Sequence, residues 1–111
     1  MNAKDGPCQE PSSGYEETKC FADAAKKSDS ELNQMYRRVL SVVDGDERVK
    51  LQTAQRLWIQ FRDANCEAEH VLYSGGSAAP MVKFACVEAV TRHRTEELKE
   101  MYGWRLEKWE K

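Results

Sequence analysis

Apolar residues recur three and four positions apart through three long stretches of the chain, and two short glycine-containing segments separate these stretches. This spacing is the repeat of an amphipathic α-helix. The separating segments are "DGD" at 44–46 and "SGGSAAP" at 74–80, whose glycines allow a turn and whose proline suits the first turn of a helix. No stretch alternates with a period of two for long enough to form a strand. The sequence therefore predicts an all-α fold, an antiparallel bundle of three long helices with short connections.

The three predicted helices run from Tyr15 to Val43, from about Glu47 to Leu72, and from about Ala79 onward, with Gly103 as an expected end or kink. The predicted stripe of the first helix comprises Phe21, Ala25, Ser28, Leu32, Tyr36, Val39 and Val43. That of the second comprises Leu51, Ala54, Trp58, Phe61, Asn65, Ala68 and Leu72, and that of the third Phe84, Val87, Thr91, Leu98 and Met101. We expect residues 1–14 to form an irregular tail and residues 15–111 a single helical domain.

The segment "AQRLWIQFRDANC" (54–66) could be a binding face or the middle of a buried helix. At 100° per residue, one arc of the second helix holds Leu51, Ala54, Leu57, Trp58, Phe61, Ala64, Asn65 and Ala68. We therefore expect the aromatic side chains of this segment to be core. Gln55 and Arg62 are polar, yet they lie at the edge of this apolar arc.

An arginine at the edge of a core needs a partner, because an unpaired buried charge is costly. Residues equidistant from a hairpin turn lie level, which places Asp29 and Thr91 near the level of Arg62. We therefore predict an interhelical polar layer formed by Asp29, Asn33, Gln55, Arg62, Thr91 and Arg94. Its expected role is structural, setting the register of the helices. The alternative is a catalytic carboxylate with arginine clamps, but no nucleophile or base is placed nearby, so no catalytic residue is expected.

Four cysteines in a short chain indicate two disulfides in an exported protein, or metal or redox chemistry in a cytosolic one. Cys66 and His70 have the spacing of two zinc ligands on one helix face, but no second pair completes a four-ligand site. Disulfides are the favoured interpretation, and we expect neither a metal nor another cofactor.

The second turn indicates which cysteines pair. Cys66 and Cys86 each lie ten residues from Gly76, so they are level on neighbouring helices. Cys8 and Cys20 are then left to pair. The main competing connectivity is Cys20 with Cys66, because these residues are separated by only about 6 Å along the bundle axis.

Charge and hydropathy limit the partners of the chain. A net charge of −2 argues against nucleic-acid binding, which needs a basic face. No apolar run approaches the roughly 18 residues of a membrane span. Residues 1–14 are polar and lack the apolar segment of a signal peptide, yet the cysteines favour the outside of the cytoplasm. We therefore expect a periplasmic or secreted protein whose signal peptide has been removed from this sequence.

Four motifs carry a family resemblance. They are "DSELNQMY" (29–36), "LQTAQRLWIQFRDANC" (51–66), "GGS" (75–77) and "CVEAVTRHRTEEL" (86–98). In these motifs the chain resembles the LprI-type lysozyme-inhibitor domain, over roughly residues 18–98. The resemblance implies an exported bacterial helical domain with four cysteines, often periplasmic or lipid-anchored, and it implies lysozyme inhibition.

Two surfaces are candidates for binding a partner, either a lysozyme or another envelope protein. The second turn is narrow and rich in backbone N–H groups, which suits a plug for the carboxylate-lined cleft of a lysozyme; its candidate residues are Ser74, Gly75, Gly76 and Ser77. The alternative is an ordinary helix-hairpin turn. Trp104 and Trp109 overhang the other end, where we expect them to fold over the core, with a contact patch as the alternative. The oligomeric state is open.

Overall fold

A computed structural model describes Cys8 and residues 14–76 and 78–110. In these residues the chain forms three helices and no strand: α1 (Gly14–Leu40), α2 (Gly45–Leu72) and α3 (Ala79–Trp109). The molecule is elongated, with dimensions of 47 × 25 × 17 Å. The predicted all-α bundle of three long helices with two disulfides is therefore confirmed. Residues 1–7 and 9–13, most of the predicted tail, lie outside the described residues.

α1 carries charges that match its dipole, with Glu16 and Glu17 in the first turn and Arg37 and Arg38 in the last. It ends three residues before the predicted end, because the backbone tightens there. The Ser41 amide donates to the carbonyls of both Arg37 and Arg38. Gly45, with φ of +56°, then supplies the left-handed conformation that redirects the chain into α2.

α3 continues through Gly103 to Trp109, so the expected end at this glycine is wrong. A glycine inside a helix costs only about 1 kcal/mol relative to alanine, and tertiary contacts beyond it offset this cost. Leu106 is buried in the core. Arg105 donates to the Val42 carbonyl and pairs with Glu47 at 2.9 Å, which ties this end of α3 to the first turn.

The main core lies along α1 and α3. It comprises Leu32, Met35, Val39, Val43, Leu51, Leu98 and Leu106. The predicted α1 stripe is buried as expected except at Tyr36, which is half-buried while Met35 occupies the core. On α3, Met101 is exposed, contrary to prediction, because the inward side at that end follows Leu98, Tyr102 and Leu106.

α2 is rotated about its axis relative to the prediction. Phe61, expected in the core, is 59% exposed, and Ala54, Ala68 and Leu72 are exposed as well. The inward side instead comprises Leu51, Gln55, Trp58, Arg62 and Cys66. The physical reason is that the disulfide and polar contacts to α3 fix the rotation of α2, which leaves part of its apolar arc uncovered.

Candidate functional site

The turn between α2 and α3 is a compact structure exposed at one end of the bundle. The Ser74 amide donates to the Val71 carbonyl, and the Gly76 amide donates to the Tyr73 carbonyl. Gly75 has φ of +88°, which a residue with a side chain adopts only under strain. Ser74, Gly75 and Gly76 are all exposed, and Ser77 lies outside the described residues. The backbone amides of Ser74 and Gly76, which were expected to be available to a partner, therefore form hydrogen bonds within the turn itself.

A disulfide and a hydrogen bond hold the base of the turn. Cys66 of α2 is joined to Cys86 of α3, with 5.6 Å between their Cα atoms, and both residues are fully buried. Nearer the turn, Nδ1 of His70 lies 3.0 Å from the carbonyl oxygen of Ala79. The backbone of the turn is thus attached to both helices. Such preorganisation reduces the entropy lost when a loop binds a partner.

Apolar side chains surround the turn on the α2 side. Leu72 is 80% exposed, and Val71 and Tyr73 are exposed beside it. Together with the small residues of the turn they form a slim tip with an apolar flank. This shape and composition suit insertion into a concave site on another protein.

The second disulfide joins Cys8 to Cys20, with 6.1 Å between the Cα atoms. It links the one described residue of the N-terminal segment to the first half of α1. The structure thus contains the Cys66–Cys86 pair expected from the spacing about Gly76 and the remaining Cys8–Cys20 pair, and not the competing Cys20–Cys66 pair.

Trp104 and Trp109 lie on the last turns of α3, and both are exposed, at 59% and 58%. The expectation that they fold over the core is wrong, because α3 stays helical and directs them outward. The guanidinium of Arg105 stacks 4.8 Å from the Trp104 ring, and the Lys108 ammonium lies 5.4 Å from the Trp109 ring. The two rings, each beside a cation, therefore form an aromatic end opposite the turn.

An open groove of about 790 Å³ lies beside Trp109, between the ends of α1 and α3. Arg38 donates two hydrogen bonds of 2.8 Å to the Glu110 carboxylate across it. These bonds lower the pKa of Glu110 below its usual value and raise that of Arg38. The groove is thus polar on one side and aromatic on the other, which makes it a second candidate contact region.

The residues of the predicted polar layer lie in two adjacent groups. Nη1 of Arg62 lies 3.4 Å from both Asp29 and Thr91. Asn33 lies on α1 with its amide 3.5 Å from the Asp29 carboxylate. In the second group, Nε of Arg94 donates to the Gln55 side chain at 3.0 Å.

The indole of Trp58 connects the two groups of the polar layer. The Arg62 guanidinium lies 5.3 Å from the ring centre and that of Arg94 lies 5.9 Å from it. Arg62 also pairs with Asp63 at 3.0 Å and Arg94 with Glu97 at 2.7 Å, two acids that the sequence prediction missed. Each arginine thus contacts a neighbouring helix and an acid of its own helix, which leaves it few donors for a substrate. That the layer sets the register of the helices stays a prediction.

The carboxylate of Glu88 is buried, which was not predicted from the sequence. The Ser28 hydroxyl donates to it at 2.7 Å across α1 and α3, and Arg92 pairs with it at 3.2 Å from the next turn of α3. The only sequence signal was Ser28 on the predicted inner stripe of α1, since a hydroxyl in a core needs a partner.

Replacing Ser28 with alanine is expected to lower the free energy of unfolding by about 1.5 kcal/mol, because a hydrogen bond to a buried charged group is lost. Ser30→Ala makes the same change at an exposed position of the same helix, and we expect it to be neutral. Urea unfolding of both variants measures the difference. Equal stability of the two variants would contradict the contact between Ser28 and Glu88.

In the described part of the chain, no group of three or more His, Cys, Asp or Glu residues is arranged to hold a metal ion. Over the same residues, no helix combines the length and the apolar character needed to cross a membrane.

Comparison with known proteins gives two matches. The sequence model of a protein family described as "Lysozyme inhibitor LprI" matches residues 8–98. An uncharacterized protein of Rhizobium meliloti is 34% identical to this chain over 95 residues, and the match covers 74% of this chain and 68% of that protein. No solved structure matches.

Proposed function

Because this chain belongs to the LprI lysozyme-inhibitor family, we propose that it inhibits a lysozyme by placing the turn of residues 74–80 in the catalytic cleft of the enzyme. It acts as a binding protein without catalysis of its own. It works outside the cytoplasm, in the periplasm or secreted, where disulfides persist and where lysozymes meet the cell wall.

The single observation that carries the choice of surface is the preorganised tip. The turn is exposed, its residues are small, and the Cys66–Cys86 disulfide attaches it to two helices. A lysozyme cleft contains a protonated and an ionised carboxyl group beside the sugar. A slim turn carrying the Ser74 hydroxyl can approach such groups, whereas the sides of the helices are too wide to enter a cleft.

Ser74 is the best position for testing the proposed plug. A side chain at Gly75 would be strained by its positive φ, and a Cβ atom at Gly76 would lie only 3.3 Å from the Tyr73 carbonyl oxygen. Ser74 already carries a side chain, is exposed and has no positive φ. Changes at Ser74 therefore alter the tip without disturbing the backbone.

We expect Ser74→Glu to weaken inhibition at least tenfold, because it adds bulk and places a negative charge against the carboxylate of the cleft. Ser30→Glu adds the same charge at an exposed position of α1 and is expected to inhibit like the wild type. Lysozyme turnover measured at increasing inhibitor concentration gives the two inhibition constants, and circular dichroism checks that helicity is unchanged. Equal inhibition by both variants would reject the turn as the plug.

The exposed tryptophans support a second candidate, a non-catalytic domain that binds another envelope protein through its C-terminal end. Trp104 and Trp109 flank open grooves, and aromatic residues in such positions dominate many interfaces. If Trp104→Ala or Trp109→Ala abolishes inhibition while Ser74→Glu does not, the binding surface lies at this end instead. If the wild type inhibits no lysozyme, the envelope-binding role is favoured.

A further inference from the structure

The outward side of α2 carries an apolar stripe that nothing in the described part of the chain covers. We call it the α2 seam; it comprises Ala54, Leu57, Phe61, Ala64, Ala68 and Val71. Leu57, Phe61 and Val71 are 58%, 59% and 56% exposed, and the three alanines are exposed as well. The side of α2 that packs on α3, at Gln55, Arg62 and Cys66, lies about 150° around the helix from the seam at 3.6 residues per turn. A contiguous exposed apolar stripe of this kind marks an interaction surface.

The spacing of the α2 seam is that of a coiled-coil interface. Its six residues are separated by three, four, three, four and three positions, the alternation of core positions in a heptad. This pattern matches a partner that is itself an α-helix lying alongside α2. None of the six seam residues is charged, so the seam offers no ion pair to select a charged partner.

The order of side-chain sizes along the α2 seam shows which helix fits. From its N-terminal end the seam reads small, large, large, small, small, large. When the order is read backwards, a small residue stands at every position of a large one, and a large residue at every position of a small one. A second α2 seam running antiparallel about a two-fold axis therefore places Phe61 against Ala64, Leu57 against Ala68, and Ala54 against Val71, each with its partner in the other copy. Each large side chain meets a small one, as interdigitating cores require.

From this self-complementarity we propose that the α2 seam binds a second copy of this chain, forming an antiparallel two-fold dimer through α2. The outer flank of the seam allows this pairing. Gln60 of one copy faces Glu67 of the second copy, so no like charges meet there. The Glu67 carboxylate also pairs with the Lys83 ammonium of its own chain at 3.7 Å.

The size of the α2 seam sets the strength of the association. From Ala54 to Val71 the seam is about 26 Å long at ~1.5 Å per residue, and a helix face is about 10 Å wide. Two such faces give roughly 500–600 Å² in total, below the ~1,200–2,000 Å² of stable complexes. The dimer is therefore weak and depends on protein concentration.

Analytical ultracentrifugation of the intact, oxidised protein from about 1 µM to about 1 mM tests the dimer, since this range spans weak affinities. We expect the wild type to pass from monomer to dimer in that range. Ala64→Phe places two phenylalanines against each other and should weaken dimerisation at least tenfold, and Phe61→Ala should weaken it by removing the largest contact. The double variant Phe61→Ala/Ala64→Phe restores one large and one small residue in each pair and should recover dimerisation.

Ile59→Ala is the matched control, because Ile59 is an exposed apolar residue on the opposite side of α2. It should leave dimerisation unchanged, and all variants should keep wild-type helicity because the changed residues are exposed. A wild type that stays monomeric at every concentration would overturn the proposal and leave the seam to a different protein. Stronger association of Ala64→Phe, or a double variant as weak as Phe61→Ala, would overturn the antiparallel pairing. No lysozyme enters this measurement, so its outcome is independent of the proposed inhibition.

Discussion

Replacing Leu98 with alanine is expected to lower the free energy of unfolding by about 3 kcal/mol, within the range of 2–5 for leucine truncations in protein cores. Leu98 is 0% exposed and lies in the middle of the cluster formed by α1, α2 and α3. The change removes apolar surface from the core and leaves a cavity that the long helices cannot readily close.

The same truncation at Leu57 is the control for Leu98, because Leu57 lies on the uncovered side of α2. We expect a change below about 0.5 kcal/mol there, as for most surface substitutions. Urea unfolding at micromolar protein concentration, where the proposed dimer is dissociated, compares the two variants. A large loss for Leu57→Ala would mean that α2 is rotated as the sequence pattern predicted and not as the structure has it.

Removing the disulfide between α2 and α3 is expected to have the other large effect. The double variant Cys66→Ala/Cys86→Ala should lose about 3 kcal/mol, because the bridge closes a loop of about 20 residues in the unfolded chain. Both residues are fully buried and pack with Val90, so the loss of the sulfur atoms also loosens a small core cluster.

Cys8→Ala/Cys20→Ala provides the comparison for the buried disulfide. This bridge closes a shorter loop, and Cys20 is exposed, so we expect a smaller loss. Thermal or urea unfolding of both double variants under oxidising conditions measures the order. Equal losses, or a larger one for the pair at Cys8 and Cys20, would contradict the central role of the buried disulfide.

The sequence predicted the fold well because helix periodicity and turn residues are local signals. The α1 stripe from Phe21 to Val43 packs against α3, and the turns lie where the glycines are. The same signals could not determine the rotation of α2. The positions of the apolar residues predicted that Phe61 lies in the core. In the structure Gln55 and Arg62 contact α3 instead, so the polar edge of α2 faces the bundle and Phe61 faces outward.

The candidate site was harder to predict, because its properties depend on three-dimensional contacts. The glycines near 75 predicted a turn, yet the hydrogen bonds that occupy the amides of Ser74 and Gly76 became visible only in the structure. The outward direction of Trp104 and Trp109 depends on α3 continuing through Gly103. A single glycine is a weak local signal, which predicts neither that a helix ends nor that it continues.

With α2 rotated in this way, the candidate binding surfaces lie at three different places on the molecule. The turn at one end is the proposed plug, the α2 seam on one side is the proposed dimer surface, and the tryptophans lie at the opposite end. Changes at Ser74, Phe61 and Trp104 should therefore have separable effects on inhibition, association and binding at the C-terminal end.

Lysozyme inhibition by the wild-type protein is the most direct test of the central claim. Purified, oxidised protein is titrated into lysozymes of more than one type, and the rate of peptidoglycan hydrolysis is recorded at each ratio. The proposed function predicts that hydrolysis by at least one type falls progressively as the protein reaches and exceeds the enzyme concentration, and that Ser74→Glu removes this effect. Unchanged hydrolysis by every lysozyme at a large molar excess of the wild type would contradict it.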